Sequence, residues 1–207
     1  MKERKGKTPR IVRFLCMAAL LCQGVGCTHM AKISVTQPAV TVVARQPIAV
    51  ALVLDPAFCN YQYQVSKMGD KFVWPFGASL CDYARNVTQG VFEHVDLYDQ
   101  TNNLKVTKPV AAVFHPKVAK VNQLLPSFAW QKRQILLVVE WTMKDGQDDK
   151  TMWVGAIEGA AEETTGNLFT GGGHDRKIMQ ALFDDLTRKT QKALMEAPEV
   201  NGLKTTR

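Results

Sequence analysis

Residues 133–160 read RQILLVVEWTMKDGQDDKTMWVGAIEGA. Side chains alternate across a β-strand, so Ile135, Leu137, Val139, Trp141 and Met143 share one face. The opposite face is apolar at Leu136 and Val138 and turns polar at Glu140, Thr142 and Lys144. A run that is apolar on both sides at one end belongs in the middle of a sheet. Asp145 and Gly146 begin a turn, and Thr151 to Ala160 returns with Trp153 and Ile157 on one face and Met152, Val154 and Ala156 on the other. The stretch predicts an antiparallel hairpin.

Working outward, Ile48 to Leu54 is a continuous apolar run closed by Asp55 and Pro56, the pattern of a strand buried on both faces. From Phe58 to Val65 the chain alternates, with Tyr61, Tyr63 and Val65 opposed to Asn60, Gln62 and Gln64, which predicts a half-buried strand. Gly69 and Asp70 then turn into an aromatic loop. Phe72, Trp74 and Phe76 are a candidate ligand lip there, although such a run more often lids the core.

Ser79 followed by Asp82 resembles a capping box, and Leu80, Ala84, Val87 and Val91 recur at helical spacing, predicting a helix over 79–94. Val95 to Tyr98 reads as a short strand. Val110 to Val121 is extended but mixed, and Pro116 cannot donate a ladder hydrogen bond, so that strand belongs at an edge or carries a break. A second helix is expected over 175–195, striped by Ile178, Met179, Leu182, Phe183 and Leu186 and closed by Pro198. Residues 201–207 read as a frayed tail.

The N-terminus concerns location. Six basic residues (Lys2, Arg4, Lys5, Lys7, Arg10, Arg13) precede nine apolar ones, Phe14 to Cys22. A helix crossing a bilayer needs about 20 residues. The run is too short for that and fits an export signal over 1–26. The formal charge of +7 is concentrated there. Removing six basic groups and the one acid, Glu3, from 26 and 19 leaves 20 against 18. A nucleic-acid partner needs a concentrated basic surface and is not expected.

Gly26-Cys27 resembles the lipobox of bacterial lipoproteins, in which the cysteine is acylated and becomes the new N-terminus. Cys27 is the matching residue. Gly24 stands where that family usually has Leu. Gly24 with Gly26 also satisfies ordinary small-x-small cleavage, which would leave Cys27 as the first residue of a secreted protein. Thr28 follows the cysteine instead of Asp, which by resemblance to sorted lipoproteins implies the outer membrane of a Gram-negative envelope, periplasmic face. Residues 27–46 then form a lipidated N-terminus and tether, and residues 47–200 one domain.

Of five cysteines, Cys16 and Cys22 leave with the signal and Cys27 takes acyl chains, so Cys59 and Cys81 remain as an even pair in an oxidising space. A bridge closing the segment between them contributes about 3 kcal/mol in the chain-entropy model. Two buried free thiols are the alternative. No Cys-x-x-Cys spacing or neighbouring His occurs, so zinc has no support, and neither metal nor cofactor is expected.

Catalytic patterns are also missing. No nucleophile elbow, His-Glu-x-x-His or P-loop occurs, the arrangements that would activate a nucleophile, a metal-bound water or a phosphate. Gly171, Gly172 and Gly173 precede a helix but lack the Gly-Lys-Ser/Thr ending of a phosphate-cradling loop. His174 beside Asp175 cannot face it across a helix start.

The segments "ALVLDP", "NYQYQV", "PFGASLCDYARNV", "LLVVEWTMKDG", "MWV" and "APEV" together resemble small α/β outer-membrane lipoproteins of the transport-auxiliary and lipopolysaccharide-assembly kind. The resemblance implies a sheet with two helices on one face and an accessory role in an envelope complex. The expectation is therefore an α+β fold, a single mostly antiparallel sheet with two amphipathic helices packed on one face. Its expected role is a non-enzymatic subunit or assembly factor of an envelope transport or secretion complex, held to the outer membrane by a lipid. The alternative is a lipid- or glycan-binding module with its groove beside the aromatic loop.

Overall fold

A computed structural model describes residues 28–30, 35, 45–67, 69–99, 109–124, 132–164 and 173–203. The export signal and Cys27 lie outside the described residues. In chain order the elements are β1 (Thr28–Met30), β2 (Gln46–Leu54), α1 (Pro56–Cys59), β3 (Gln62–Lys67), β4 (Asp70–Pro75), α2 (Gly77–Val91), β5 (Phe92–Asp99), β6 (Ala112–Leu124), β7 (Lys132–Asp145), β8 (Thr151–Thr164), α3 (Gly173–Glu196) and α4 (Pro198–Asn201). The strands form a five-stranded sheet ordered β5-β2-β6-β7-β8 and a three-stranded sheet ordered β1-β4-β3.

The α+β expectation holds, but the single, mostly antiparallel sheet is corrected in two respects. The described strands form two sheets, and in the larger one β2 runs parallel to both β5 and β6, while β6-β7 and β7-β8 are antiparallel. The reason is the crossover. A strand that re-enters a sheet after a helix runs parallel to the strand it left, and α2 carries the chain from β2 to β5 in this way.

The predicted hairpin is the centre of the larger sheet. Ile135, Leu137, Val139, Trp141 and Met143 are all buried, while Leu136 and Val138 on the opposite face are only partly covered. Its turn is made by short side chains bonding the backbone. Asp145 Oδ1 accepts from the amide of Gln147 at 2.7 Å. The same oxygen accepts from the amide of Asp148 at 3.3 Å. Asp149 takes a left-handed φ of 59°. Asp tolerates that conformation better than most residues.

Both long helices pack on the buried face of this sheet. In α3 the stripe Ile178, Met179, Leu182, Phe183 and Leu186 is buried against the sheet core, as its spacing predicts. Gly159 of β8 permits the approach, since a Cβ there would meet Leu186 Cβ at 2.8 Å. The helices are joined to β7 by a buried polar chain. The Trp141 indole N–H donates to the Tyr83 hydroxyl (3.1 Å), that hydroxyl lies 2.6 Å from Thr190 Oγ1, and Thr190 donates to the Leu186 carbonyl (2.8 Å).

Several boundaries differ from expectation for identifiable reasons. Phe58 and Cys59 are helical rather than extended, because Asp55 caps α1 by accepting from Ala57 N at 2.6 Å and Pro56 occupies its first position. A side-chain acceptor before the first turn and a proline within it both favour a helix start. The expected alternation survives from Tyr61 to Ser66. Helix α2 starts at Gly77, two residues before the expected capping Ser79, and no side chain caps it. Glycine is required at 77, because a Cβ there would collide with the Cys59 carbonyl.

The aromatic loop is strand β4, paired with β3. Strand β6 is interior only where Ala112–Phe114 meets β2, and Pro116 and a bulge between Val118 and Lys120 follow beyond that contact, where a missing donor or an extra residue is tolerated. Part of the expected tail is folded as well. Asn201 accepts from Gln46 Nε2 (3.1 Å) and donates to the Met195 carbonyl (3.0 Å), and Leu203 packs on the core. Within the expected tether, Thr28–Met30 forms a strand and Val35 touches the core.

Candidate functional site

The residues singled out by sequence fall in three places. Cys59 ends α1 and Cys81 lies in the second turn of α2, and a disulfide joins them with a Cα–Cα distance of 5.2 Å. The bridge fastens the short helix to the long one. Of the candidate lip, Trp74 is 1% and Phe76 0% exposed, and only Phe72 is partly open. Trp74 is covered by the Arg133 guanidinium, 4.5 Å from its ring centroid, while Phe76 packs against Phe183. A guanidinium at that distance is held to the ring face by the ring's quadrupole. Trp74 and Phe76 belong to the core, and of the three rings only Phe72 keeps surface.

Cys27 and Gly171–Gly172 lie outside the described residues, and the side chains of His174 and Asp175 are likewise not described. His94 is on β5 rather than at the end of a helix, and His115 is on β6 opposite Thr142. Burial lowers the His115 pKa below its ordinary value, the nearby Lys144 ammonium lowers it further, and Asp149 opposes both. Both lowering effects penalise the charged imidazolium. The imidazole is therefore neutral at pH 7. Among the described residues no three His, Cys, Asp or Glu side chains gather as metal ligands, and no helix is long and apolar enough to cross a membrane.

The surface that stands out is the face of β6, β7 and β8 that no described helix covers. Strand alternation that buries Ile135 to Met143 turns Gln134, Leu136, Val138, Glu140 and Thr142 the other way. Leu124 and Val154, at the two ends of this face, are 59% and 55% exposed. Asn122, Leu124, Gln134, Leu136, Ala160 and Glu162 surround an open depression of about 380 Å³.

Charged pairs frame the apolar area. Lys117 reaches Glu140 across the β6-β7 ladder at 2.7 Å, Lys132 pairs with Glu162, and Gln134 Nε2 donates to Glu162 at 2.8 Å. The Lys132 and Gln134 contacts hold the Glu162 carboxyl below its usual pKa, against a small opposing effect of burial. The face thus combines exposed and half-buried apolar side chains with paired charges. A second depression of about 740 Å³ lies between the β7-β8 turn and α4, lined by Val110, Asp145, Lys150, Met152, Glu199 and Leu203.

The edge of this face is partly closed by α3. Asp185 Oδ2 accepts from the backbone amide of Ala160 (3.0 Å), and Lys189 Nζ donates to the Glu158 carbonyl (2.9 Å). Two outward-facing backbone groups of edge strand β8 are thereby occupied by side chains rather than left to pair with another strand. Burial alone would raise the Asp185 pKa, but Lys189, the Ala160 amide and Arg188 together outweigh it and hold the carboxyl low. Each of those partners favours the ionised form. By periodicity alone, Asp185 and Lys189 are assigned only to the outside of their helix. Their spacing of four residues is the available signal, since it aligns both on one side of a helix.

No protein-family model matches the chain, and no curated protein matches it. Among solved structures it is similar to a Xanthomonas campestris protein of the DUF330 family, at 10% identity over 80% of this chain and 90% of that one, with a TM-score of 0.47. A minor lipoprotein from Acinetobacter baumannii is similar at 12% identity, over 79% of this chain and 98% of that one, with a TM-score of 0.41. A lipoprotein from Neisseria meningitidis is similar at 12% identity, over 58% of this chain and 88% of that one, with a TM-score of 0.31. No function is carried over from likenesses at this level.

Proposed function

We propose that the protein is a non-enzymatic lipoprotein of the outer membrane, facing the periplasm, that serves as an accessory or assembly subunit of an envelope transport or secretion complex. The observation that carries this reading is the N-terminal sequence, where a basic head and nine apolar residues end in Gly26-Cys27, the layout of an export signal. Two or more acyl chains on one cysteine anchor a protein stably, whereas one chain is marginal. The uncovered face of β6-β7-β8, apolar at Leu124, Leu136, Val138 and Val154, supports a role in binding protein. The glycan- or lipid-groove alternative relied on Phe72, Trp74 and Phe76, and two of those rings have no surface left to offer.

The test is acyl labelling of wild type and Cys27→Ser, followed by affinity isolation from membranes. Loss of both the label and the co-purifying envelope proteins in Cys27→Ser is expected. Continued labelling of Cys27→Ser removes the lipobox reading. Leu136→Lys with Val154→Glu should separately abolish co-purification while acylation persists, and unchanged partners would remove the sheet face as the binding surface.

A further inference from the structure

We propose that the turn end of the β3-β4 hairpin, marked by Ser66 on one strand and Lys71 on the other, is the membrane-facing tip of the domain, seated against anionic lipid headgroups. The inference rests on acylation of Cys27 as read above and adds the orientation that acylation would impose.

The register of β1 carries it. Thr28 pairs with Lys71 and Met30 with Val73, so β1 runs parallel to β4 and enters the small sheet at the turn end of that strand. Consecutive Cα atoms are about 3.8 Å apart, so a lipid on residue 27 is attached one residue from the strand. Paired strands lie about 4.8 Å apart. Thr28, the residue that follows Cys27 in the chain, is thus level with Lys71. A tether spanning 27–46 would let the domain stand off and turn freely. With β1 docked, the folded body begins immediately after the acylated residue.

The tip itself suits a headgroup surface. Its sequence, Ser66-Lys67-Met68-Gly69-Asp70-Lys71, holds two lysines against one aspartate, and basic groups near an anionic leaflet are attracted to it. Gly69 takes a left-handed φ of 88°. Ser66 and Lys71 are exposed, and Met30, two residues along β1 from Thr28, is exposed too.

The β7-β8 turn lies far from this tip. Arg133 covers Trp74 of β4, whereas Asp145 is twelve residues further along β7. Twelve strand residues span roughly 40 Å. Asp70 is only four residues from Trp74. Four strand residues reach about 13 Å, so the tip stays remote even if the hairpin points back along β7. The open face of the sheet is thereby presented to the periplasm, alongside or beyond the anchor.

The experiment uses the full-length acylated protein in vesicles of phosphatidylethanolamine and phosphatidylglycerol doped with headgroup-nitroxide lipid. A fluorophore is placed at Ser66→Cys or at Gln147→Cys, both exposed positions. Quenching at 66 should exceed that at 147 at least threefold. Inserting Thr followed by ten Gly/Ser residues after Cys27, a linker of roughly 17 Å root-mean-square span, should bring the two values together without loss of acylation. Equal quenching at both positions in acylated protein without the linker overturns the orientation and leaves the anchor intact. An intact mass showing no acyl chain on Cys27 overturns both.

Discussion

Replacing Tyr83 by Phe removes one oxygen from the buried chain that joins β7, α2 and α3. Two interactions go with it. The Trp141 indole N–H, 3.1 Å from that oxygen, loses its acceptor, and Thr190 loses its 2.6 Å partner while still donating to Leu186. A buried donor left unsatisfied costs about 1–3 kcal/mol, and the ordinary loss of a neutral hydrogen bond adds about 1 kcal/mol. The packing of the ring is kept, since the T-shaped contact with Trp141 and the tilted contact with Phe183 do not involve the hydroxyl. The expected cost is about 2–4 kcal/mol, a fall in Tm of about 4–16 °C for a domain of this size.

Urea unfolding followed by tryptophan fluorescence and circular dichroism measures this change. Thr190→Val leaves the Trp141 donor satisfied but removes the acceptor of the Tyr83 hydroxyl, so it should itself cost about 1–3 kcal/mol. The double variant should cost less than the sum by at least about 0.5 kcal/mol, because the two share a bond. Alkaline pH adds an independent readout. Burial raises the Tyr83 pKa well above its usual value, and the bonds with Thr190 and Trp141 only partly oppose it. The unfolded phenol therefore ionises near pH 10 while the folded one stays neutral, so the stability present below about pH 10 is lost above it at about 1.4 kcal/mol per pH unit. Tyr83→Phe should remove that component of the slope. A cost of Tyr83→Phe below about 0.5 kcal/mol, or full additivity of the two substitutions in the double variant, refutes the network as described.

Other outcomes follow from the same geometry. Cys59 and Cys81 close a segment with a sequence separation of 22. Replacing both by Ser should lower stability by about 3 kcal/mol, read as a urea midpoint shift that reductant reproduces in wild type. Asp185→Ala with Lys189→Ala uncovers the backbone of β8 at Ala160 and Glu158, and concentration-dependent self-association in sedimentation velocity should appear where wild type shows none. Asp185 is held below its unfolded pKa, so its contribution is present above about pH 4 and lost as pH falls through the folded value. Asp185→Asn should flatten the acid limb of the stability profile. His115 is also depressed, chiefly by burial, so folding loses stability as pH drops below about 6.5, and His115→Asn should remove that loss when urea midpoints are compared between about pH 7 and pH 5.

Elements with a long repeat were legible in the sequence. The period of two in 133–144, the apolar run at 48–54 and the period of 3.6 in 175–195 each specify a buried face without reference to the rest of the chain. The structure buries Ile135 to Met143 and Ile178 to Leu186 accordingly. The pairing of Cys59 with Cys81 followed from counting, and the structure bridges them. Asp55-Pro56 was legible too, as a cap followed by a first-turn proline, but closing a strand and opening a helix draw on the same two residues.

What the sequence by itself determined is thus the core-facing residues, the two amphipathic helices and the expected address at Cys27. Those are set by local periodicity and composition, which each segment carries alone. Only the tertiary structure decided which strands are neighbours and in which sense they run, since parallel pairing of β2 with β5 depends on where α2 delivers the chain. It also decided that Trp74 and Phe76 are interior, because an aromatic ring in a short strand looks the same in sequence whether a helix or water covers it. The clasp of Asp185 and Lys189 on β8 and the docking of Thr28–Met30 on β4 belong to the same class, as contacts between segments far apart in the chain. The proposed orientation on a membrane therefore rests on a three-residue strand, whose partner no periodicity could name.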